Sequence, residues 1–440
     1  RGGDGGGYVS SKRMKAAGLF PATDPDDHWW IPSGRVFFSP GRGDSAAEEL
    51  AYARSHFFRI CRQRDPFHTE SDPKETLFSY DKYDLLVEET RDPMGNRMTA
   101  GIRFPTGERD PSVPGNNYRT LQPFRIMDAN RNCSEVAFDA LGFVVGTAVS
   151  GKPEEQAGDS LEGFHPDLPE ATVLEYVDRP LDHAHALLGK ATSRTVYDLY
   201  AYMRTKDRPQ PDPPVVSTIV RETHASDTAP GGRAEVQITF TYADGLGRVI
   251  QKKALAESPA PDGAGAGERW IGSGWVILNN KGDPVRQYEP FFSAHHRYES
   301  NVLVGASSVL FYDPVGRVVA TLYPNDTYSK TVYEAWREMV FDANDTSAPK
   351  GEETGDPRTD RDLRGIVAGY FESLAASWRT WYEQRIGGEM GVQEQAAARK
   401  AADHANTPTV RCVDPLGRVF LIRRHNCMDE EGRARWLDRR

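Results

Sequence analysis

Residues 312–319 read Tyr-Asp-Pro-Val-Gly-Arg-Val-Val, and the core of this phrase, Asp-x-x-Gly, recurs along the chain. A type I turn favours Asp first, Pro second and Gly fourth, and the glycine supplies the left-handed backbone that closes a bulged hairpin. Each copy therefore predicts a turn between two antiparallel strands. The clear copies are Asp92 with Gly95, Asp139 with Gly142, Asp244 with Gly247, Asp313 with Gly316, and Asp414 with Gly417.

Weaker copies keep the same frame with one position changed. Asp84, His68 and Arg131 stand where the glycine belongs, and residues 279–282 begin with Asn, an accepted turn residue. The stretches between the turns, such as 236–242, are β-branched or alternate between apolar and polar residues, which is typical of strands. The sequence therefore predicts a mainly β fold, built as an array of antiparallel β-hairpins.

Composition limits the classes of function. The chain has 440 residues and a net charge of -10, which argues against nucleic acid as the main partner. Its four cysteines do not form a disulfide framework and fit a protein that folds in a reducing compartment. No stretch approaches the length of a membrane helix, so we expect no direct membrane insertion. The chain begins with Arg1 and shows no signal peptide, so we expect a fragment or processed piece of a longer protein.

Changes in composition predict six segments. They are an N-terminal segment (1–60), a first hairpin block (61–150), an insertion with a Pro-rich linker (151–214), a second hairpin block (215–342), a helical insertion (343–410) and a resumed, truncated repeat (411–440).

Four helices are predicted inside the two insertions. Residues 181–188 and 196–203 favour short helices, and residues 394–404 favour an alanine-rich one. Apolar residues recurring at intervals of three and four predict one amphipathic helix that packs on the sheet. They are Leu363, Ile366, Val367, Tyr370, Phe371, Leu374, Trp378 and Trp381.

The sequence contains no recognisable catalytic or metal-binding motif. There is no Gly-x-Ser-x-Gly, no P-loop and no His-Glu-x-x-His, and the turn aspartates are explained by turn geometry. His183 and His185 would face apart on a helix, and residues 342–345 lack the ligand ladder of a calcium loop. The zinc spacing is missing around Cys412, His425 and Cys427. We therefore expect no catalytic residue, no cofactor and no metal.

Longer strings carry a family resemblance. Residues 78–96, 132–149, 274–292 and 309–324 resemble the Rhs/YD-repeat region of the B-type subunit of insecticidal toxin complexes (Tc toxins). The resemblance extends over most of residues 29–420 and implies part of a curved, hollow β shell. In that family, the B-type and C-type subunits together form the shell, which encloses a toxic enzyme.

The same resemblance implies partners and a location. A β-propeller gate passes the toxic cargo into an A-type translocation subunit, so the protein would be made in the cytoplasm and act outside the cell within a larger complex. No propeller, C-type core or toxin is visible in these 440 residues, so the resemblance implies only the shell wall.

Two other functions stay open. An extracellular YD-repeat adhesion or carbohydrate-binding module would use exposed aromatic residues such as Trp29, Trp30, Trp270 and Trp275 as a sugar face. A polysaccharide hydrolase would use the turn carboxylates as acid and base. In the shell case, free strand edges predict that the isolated chain associates with itself.

Overall fold

The computed structural model describes residues 9–23, 25–30, 34–66, 68–69, 71–229, 232–256, 269–428 and 434–439. The fold is mainly β with antiparallel sheets, which confirms this part of the prediction. The chain divides into two compact units, Arg1–Phe240 and Thr241–Arg440. Within the described ranges, each helix is too short or too polar to cross a membrane.

The first unit alternates strands with a few short helices. Its strands are β1 (Val9–Ser10), β2 (Trp29–Trp30), β3 (Arg35–Phe37), β4 (Arg62–Arg64), β5 (Glu75–Tyr80), β6 (Val87–Arg91), β7 (Arg97–Arg103), β8 (Arg109–Pro114), β9 (Asn116–Asn117), β10 (Gln122–Pro123), β11 (Arg125–Met127), β12 (Cys133–Phe138), β13 (Val144–Ser150), β14 (Ser193–Asp198) and β15 (Val215–Arg221). Its helices are α1 (Ser11–Ala16), α2 (Ala46–Ser55), α3 (Glu170–Asp178), α4 (Pro180–Leu188) and α5 (Ala201–Thr205), with a 3-10 turn at Ala225–Asp227. Strand β16 (Val236–Ala243) contains the boundary between the units.

Most strands of the first unit form one antiparallel series. The hydrogen-bonded order is β15-β14-β13-β12-β11-β7-β6-β5-β4-β3, with β8 added to β7. Burial alternates along β14 and β15, so that Val196 and Ile219 point into the interior. Tyr176 of α3 covers this face, and its hydroxyl lies 2.6 Å from Ser217 Oγ. Helices α3 and α4 of the 151–214 insertion pack against β14, and α4 also packs against β15.

The second unit contains two antiparallel groups of strands. They consist of β17 (Val249–Leu255), β18 (Trp270–Gly272), β19 (Val276–Leu278), β20 (Pro284–Gln287), β21 (Phe291–Ser293), β22 (Val309–Tyr312), β23 (Val318–Leu322), β24 (Tyr328–Tyr333), β25 (Arg337–Phe341), β26 (Thr409–Val413), β27 (Val419–Met428) and β28 (Ala434–Arg439). One group has the order β17-β18-β21, and the other has the order β19-β20-β22-β23-β24-β25-β26-β27-β28. Three helices lie between β25 and β26: α6 (Arg364–Glu372), α7 (Trp381–Ile386) and α8 (Val392–His404).

The helical insertion corrects one prediction. The apolar stripe of residues 363–381 does not form a single helix, because α6 ends at Glu372 and α7 begins at Trp381. A capping box fixes the second start, since Glu383 N donates to Thr380 Oγ1 at 3.2 Å and Thr380 N donates to the Glu383 carboxylate at 2.8 Å. Trp378 lies in the break and donates its Nε1 hydrogen to Asp326 Oδ1 at 2.8 Å.

The stripe nevertheless packs on the sheet as expected. Leu363 and Val367 are buried in one cluster with strand residues of β22, β23 and β24, and Tyr370, Phe371 and Trp378 pack around it. The predicted helix at residues 394–404 is confirmed as the main part of α8.

The helices predicted in the first insertion had mixed outcomes. The prediction for residues 181–188 is confirmed by α4, which starts with Pro180 at a position that favours proline. The prediction for residues 196–203 is wrong over its first half, because β14 continues to Asp198 and α5 starts only at Ala201. Strand β14 pairs with both β13 and β15, and this ladder outweighs the local helical pattern.

Candidate functional site: turn series and buried cations

The clear copies of the Asp-x-x-Gly phrase share one backbone geometry. The glycine amide donates to the carbonyl of the aspartate three residues earlier at 2.9 to 3.1 Å. All the glycines have positive φ, between 74° and 89°. The residues concerned are Asp92 with Gly95, Asp139 with Gly142, Asp244 with Gly247, Asp313 with Gly316, and Asp414 with Gly417. In the weaker copies, Asp84 and Arg131 also take positive φ, at 55° and 70°.

The carboxylates of these aspartates are used inside their own turns. Asp313 Oδ1 accepts from Arg317 N at 2.9 Å, and its Oδ2 accepts from the guanidinium of the same arginine at 2.8 Å. Asp244 and Asp414 make the same bonds to the arginine four residues later. These bonds, those from the backbone first, lower the pKa of all three carboxyls. A general acid needs a raised pKa, so the arrangement suits turn closure.

The residue before each glycine is apolar and points outward. Met94, Leu141, Leu246, Val315 and Leu416 are between 71% and 88% exposed. A single exposed apolar residue needs no explanation, but the same position is exposed in every clear copy. The turn series therefore presents a repeated apolar tip beside an aspartate whose carboxylate is hydrogen-bonded within its own turn.

Buried cations on strands are a feature that sequence reasoning missed. Four of them lie 4.2 to 4.7 Å from the centre of an aromatic ring: Arg62 with Phe37, Arg194 with Phe164, Lys253 with Phe291, and Lys330 with Phe341. Each is at most 3% exposed. The available signal was a Lys or Arg at a strand position where alternation calls for an apolar side chain, as at Lys330 between Tyr328 and Val332.

Lys330 is surrounded by acids. Its Nζ lies 2.9 Å from Glu353 Oε1 and 2.8 Å from both Asp360 Oδ2 and Asp362 Oδ2. The Tyr328 hydroxyl donates to the same Asp360 oxygen at 2.9 Å. Burial alone would lower the lysine pKa, but the three carboxylates outweigh it and raise the pKa. The segment before α6 is therefore tied to β24 through one ammonium group.

The Glu353 carboxyl is incompletely satisfied. Its Oε1 accepts from Lys330, but its Oε2 is buried with no hydrogen-bond partner among the described residues. Burial raises the pKa of this carboxyl, and Lys330 only partly opposes the effect.

Arg62 and Lys253 each form an ion pair with one carboxylate. Glu75 is fully buried and binds Arg62, Arg64 and Arg42 at 2.8 to 3.1 Å. Burial opposes ionisation of Glu75, but the arginines, Arg64 first, hold its pKa below the ordinary value. Lys253 pairs with Glu299, yet burial still lowers the pKa of this lysine.

Asp159 holds a loop of the first insertion. Its carboxylate is buried and accepts from Thr192 Oγ1 at 2.5 Å and from Ala225 N at 2.7 Å, with His224 Nδ1 at 2.9 Å. A polar cleft of about 570 Å³ opens beside it, lined by acids, lysines, serines and glycines. Lys152 and Lys190, the lysines of this lining, are paired with Glu155 and Glu162.

The remaining sequence candidates are the possible metal ligands. Among the described residues, no group of three His, Cys, Asp or Glu side chains has the geometry of a metal site. Asp342 and Asp345 instead accept backbone and threonine hydrogens within their own loop and from Thr407. The side chain of Cys427 lies outside the described residues.

One expectation about a sugar face is wrong. Trp270 is fully buried, because β18 lies between β17 and β21 and points this ring inward. Trp29 and Trp30 are partly exposed, and Trp275 is half-buried. Trp30 donates its Nε1 hydrogen to Ser11 Oγ at 2.7 Å. The four tryptophans therefore do not share one exposure pattern.

No protein-family model matches the chain, and no curated protein does. Solved structures do match. The chain is similar to a chain of TcdB2-TccC3, with 19% identity and a TM-score of 0.57 over 98% of this chain and 17% of that chain. It is also similar to a chain of TcdB2-TccC3 without the hypervariable C-terminal region, with 18% identity and a TM-score of 0.55 over 96% of this chain and 19% of that chain.

A Tc holotoxin pore from Photorhabdus luminescens is also similar, with 16% identity and a TM-score of 0.55 over 98% of this chain and 20% of that chain. The chain shares the β-rich fold of Tc toxin complex chains. It spans about a fifth or less of the length of each of these solved chains.

Proposed function

We propose that this chain is a non-enzymatic wall segment of an Rhs-repeat shell in a toxin complex. Together with a C-type subunit, the chain encloses a toxic cargo. The complex then transfers this cargo to an A-type translocation subunit outside the producing cell. The observation that carries the proposal is the alignment of 96% or more of the chain with Tc toxin complex chains, over a fold built from repeated turns.

The chemistry of the turns supports a structural role. Their carboxylates have lowered pKa values and are bonded to neighbouring backbone amides and arginines. A hydrolase acting through a pair of such carboxylates would need one of them protonated. Aspartates whose carboxylates stabilise their own turns support a structural role in the shell wall rather than a role in an active site.

The repeated tips and sheet ends support contact with other chains. Five turns carry exposed apolar residues, and β3, β21, β19 and β28 end the described strand orders. Terminal strands present unpaired backbone groups that bind further strands. In the proposed complex, neighbouring parts of the longer protein and its partners cover these surfaces.

The deciding experiment is electron cryomicroscopy of the natural full-length protein with its C-type partner. We expect the hairpin series to line a closed, hollow envelope that contains density for the cargo. A solid fold without a cavity would overturn the proposal. A panel of turn Asp→Ala variants tests the absence of catalysis, because we expect lower solubility and no change in any polysaccharide turnover.

A further inference from the structure

Arg194 differs from the other buried cations in its electrostatic surroundings. Its NH1 group donates to His165 O at 2.8 Å, its NH2 group contacts Pro166 O at 3.5 Å, and the guanidinium stacks 4.2 Å from the Phe164 ring centre. Along the described part of the chain, Nε has no hydrogen-bond partner and no carboxylate pairs with this side chain. A guanidinium carries five N–H donors. Nε is therefore the guanidinium nitrogen that lacks an acceptor among the described residues.

A buried charge that no carboxylate balances is costly, because the protein replaces only part of the hydration that the charge loses. Arg194 is only 2% exposed. Burial alone lowers its pKa to about 10, so the guanidinium remains charged at neutral pH. Phe164 and the two carbonyls offer partial charges only. The position can therefore accept one negative charge.

A small cleft lies beside this guanidinium. It measures about 100 Å³, room for about three water molecules, and Phe164, Leu187, Leu188 and Lys190 contribute to its lining. Lys190 is paired with Glu162 at the rim, with 2.9 Å between Nζ and Oε2. The charges lining the cleft thus leave one positive charge in excess.

The neighbouring cleft fits an anion less well. It measures about 160 Å³ and is also lined by Arg194, but Asp139 and Asp167 line it too. Asp167 Oδ1 accepts from Ala140 N at 2.7 Å. These carboxylates disfavour a second anion, so the smaller cleft is the better site.

We propose that the 100 Å³ cleft beside Arg194 binds one carboxylate group. The planar guanidinium offers parallel N–H donors that match the two oxygens of a carboxylate. The single excess charge fits a monoanion, and the leucines suit a short apolar stem better than a phosphate. The carboxylate comes from a free small acid or from a side chain of a partner polypeptide. The proposal does not depend on the toxin-complex role.

The test compares three proteins in acetate and chloride. Urea unfolding of the 440-residue chain and of its Arg194→Met and Arg179→Met variants is followed at neutral pH and equal ionic strength. Methionine keeps the length and apolar stem of the side chain, and Arg179 is an exposed arginine 66% accessible to solvent. We expect the urea midpoint of the wild type and Arg179→Met to rise with acetate concentration, while that of Arg194→Met stays constant.

A second measurement keeps the proposal testable if Arg194→Met fails to fold. Saturation-transfer NMR with acetate should show binding to the folded wild type and at least tenfold weaker binding to Arg194→Lys. The lysine keeps the positive charge but lacks the parallel N–H donors of the guanidinium. An equal acetate shift in all three proteins would overturn the proposal. If the difference between the wild type and Arg194→Met is larger in phosphate than in acetate, the carboxylate assignment is overturned, because the general salt effect of phosphate is common to both proteins.

Blocked Gly-Glu-Gly and Gly-Gln-Gly peptides separate the two sources. Binding of the Glu peptide at least tenfold tighter than acetate supports the site and identifies a partner polypeptide. Equal binding of the Glu peptide and acetate supports it and identifies a free small acid. Equal binding of the Glu and Gln peptides would overturn the carboxylate assignment.

Discussion

Arg194 and Lys330 are both buried strand cations stacked near an aromatic ring, yet their partners differ completely. Lys330 binds three carboxylates, and its pKa is raised. Arg194 has carbonyls and a ring, and its pKa falls to about 10. Lys253, with Glu299 alone, also has a lowered pKa. One carboxylate therefore does not offset burial at Lys253, whereas three carboxylates do at Lys330.

The difference separates two ways of fastening a segment to a sheet. Lys330 lies under the segment that leads into α6, and the acids of that segment hold it by ionic bonds. Arg194 lies under the loop that contains Phe164 and holds it through dipoles and stacking. The ring of Phe164 rests on Gly146 of β13, where an added Cβ would lie 2.3 Å from the ring. The first fastening depends on charge balance, and the second depends on shape.

Removing the lysine should produce the largest effect. Lys330→Met leaves three carboxylates without their cation, so we expect a loss of about 3–5 kcal/mol in the free energy of unfolding. Arg194→Met leaves no carboxylate unpaired and should show no loss of that size in acetate-free buffer. Urea unfolding measures both, with the exposed Lys400→Met as control. A greater loss for Arg194→Met than for Lys330→Met would contradict the comparison.

Substitution of Glu353 provides a second test of the Lys330 site. Its pKa is raised above 4.5 by burial, so the folded protein binds the proton more tightly than the unfolded chain does. The contribution of this group to stability is therefore greatest below the unfolded pKa and is lost as pH rises through the folded pKa. Glu353→Gln keeps an oxygen for Lys330 and removes one negative charge.

At neutral pH, Glu353→Gln should be more stable than the wild type by about 1 kcal/mol, because burial disfavours the ionised carboxylate. The advantage should shrink as the pH falls towards the unfolded pKa, because the wild-type carboxyl becomes protonated. Urea midpoints measured across this pH range check both statements. The control is Glu352→Gln, at a side chain that is 71% exposed. A less stable Glu353→Gln at neutral pH would show that the ionised carboxylate is needed.

Gly316 tests the turns rather than the buried charges. Its φ is +85°, and an added Cβ would meet nothing within 4 Å, so Gly316→Ala isolates the backbone cost. We expect a loss of about 1–2 kcal/mol. Gly369 in the middle of α6 also has open space, and Gly369→Ala should gain about 0.5–1 kcal/mol. Equal effects of the two changes in urea unfolding would refute the role assigned to positive φ.

The sequence predicted the β class and the hairpin pattern because turn chemistry is local. Asp313 and Gly316 stand within one turn, and their geometry needs no distant partner. The break between α6 and α7 was missed because Asp326, which receives Trp378, lies far away in the sequence. The Lys330 site was missed for the same reason, since Glu353 and Asp360 come from a loop without a recognisable motif. The helix break and the Lys330 site both depend on hydrogen bonds between residues that are far apart in the sequence.

The exposed turn tips should give the smallest effect on stability and the clearest effect on association. Val315 and Leu416 end the β22–β23 and β26–β27 hairpins and are both 75% exposed. Changing both to lysine removes no buried contact, so the free energy of unfolding should change by less than about 0.5 kcal/mol per site. Apolar tips favour contact with other chains, so light scattering should show less self-association than for the wild type. Val392→Lys, on α8 and 83% exposed, is the matched control and should leave association unchanged. An equal reduction by Val392→Lys would mean that added charge alone opposes association, and the tips would then have no special part in it.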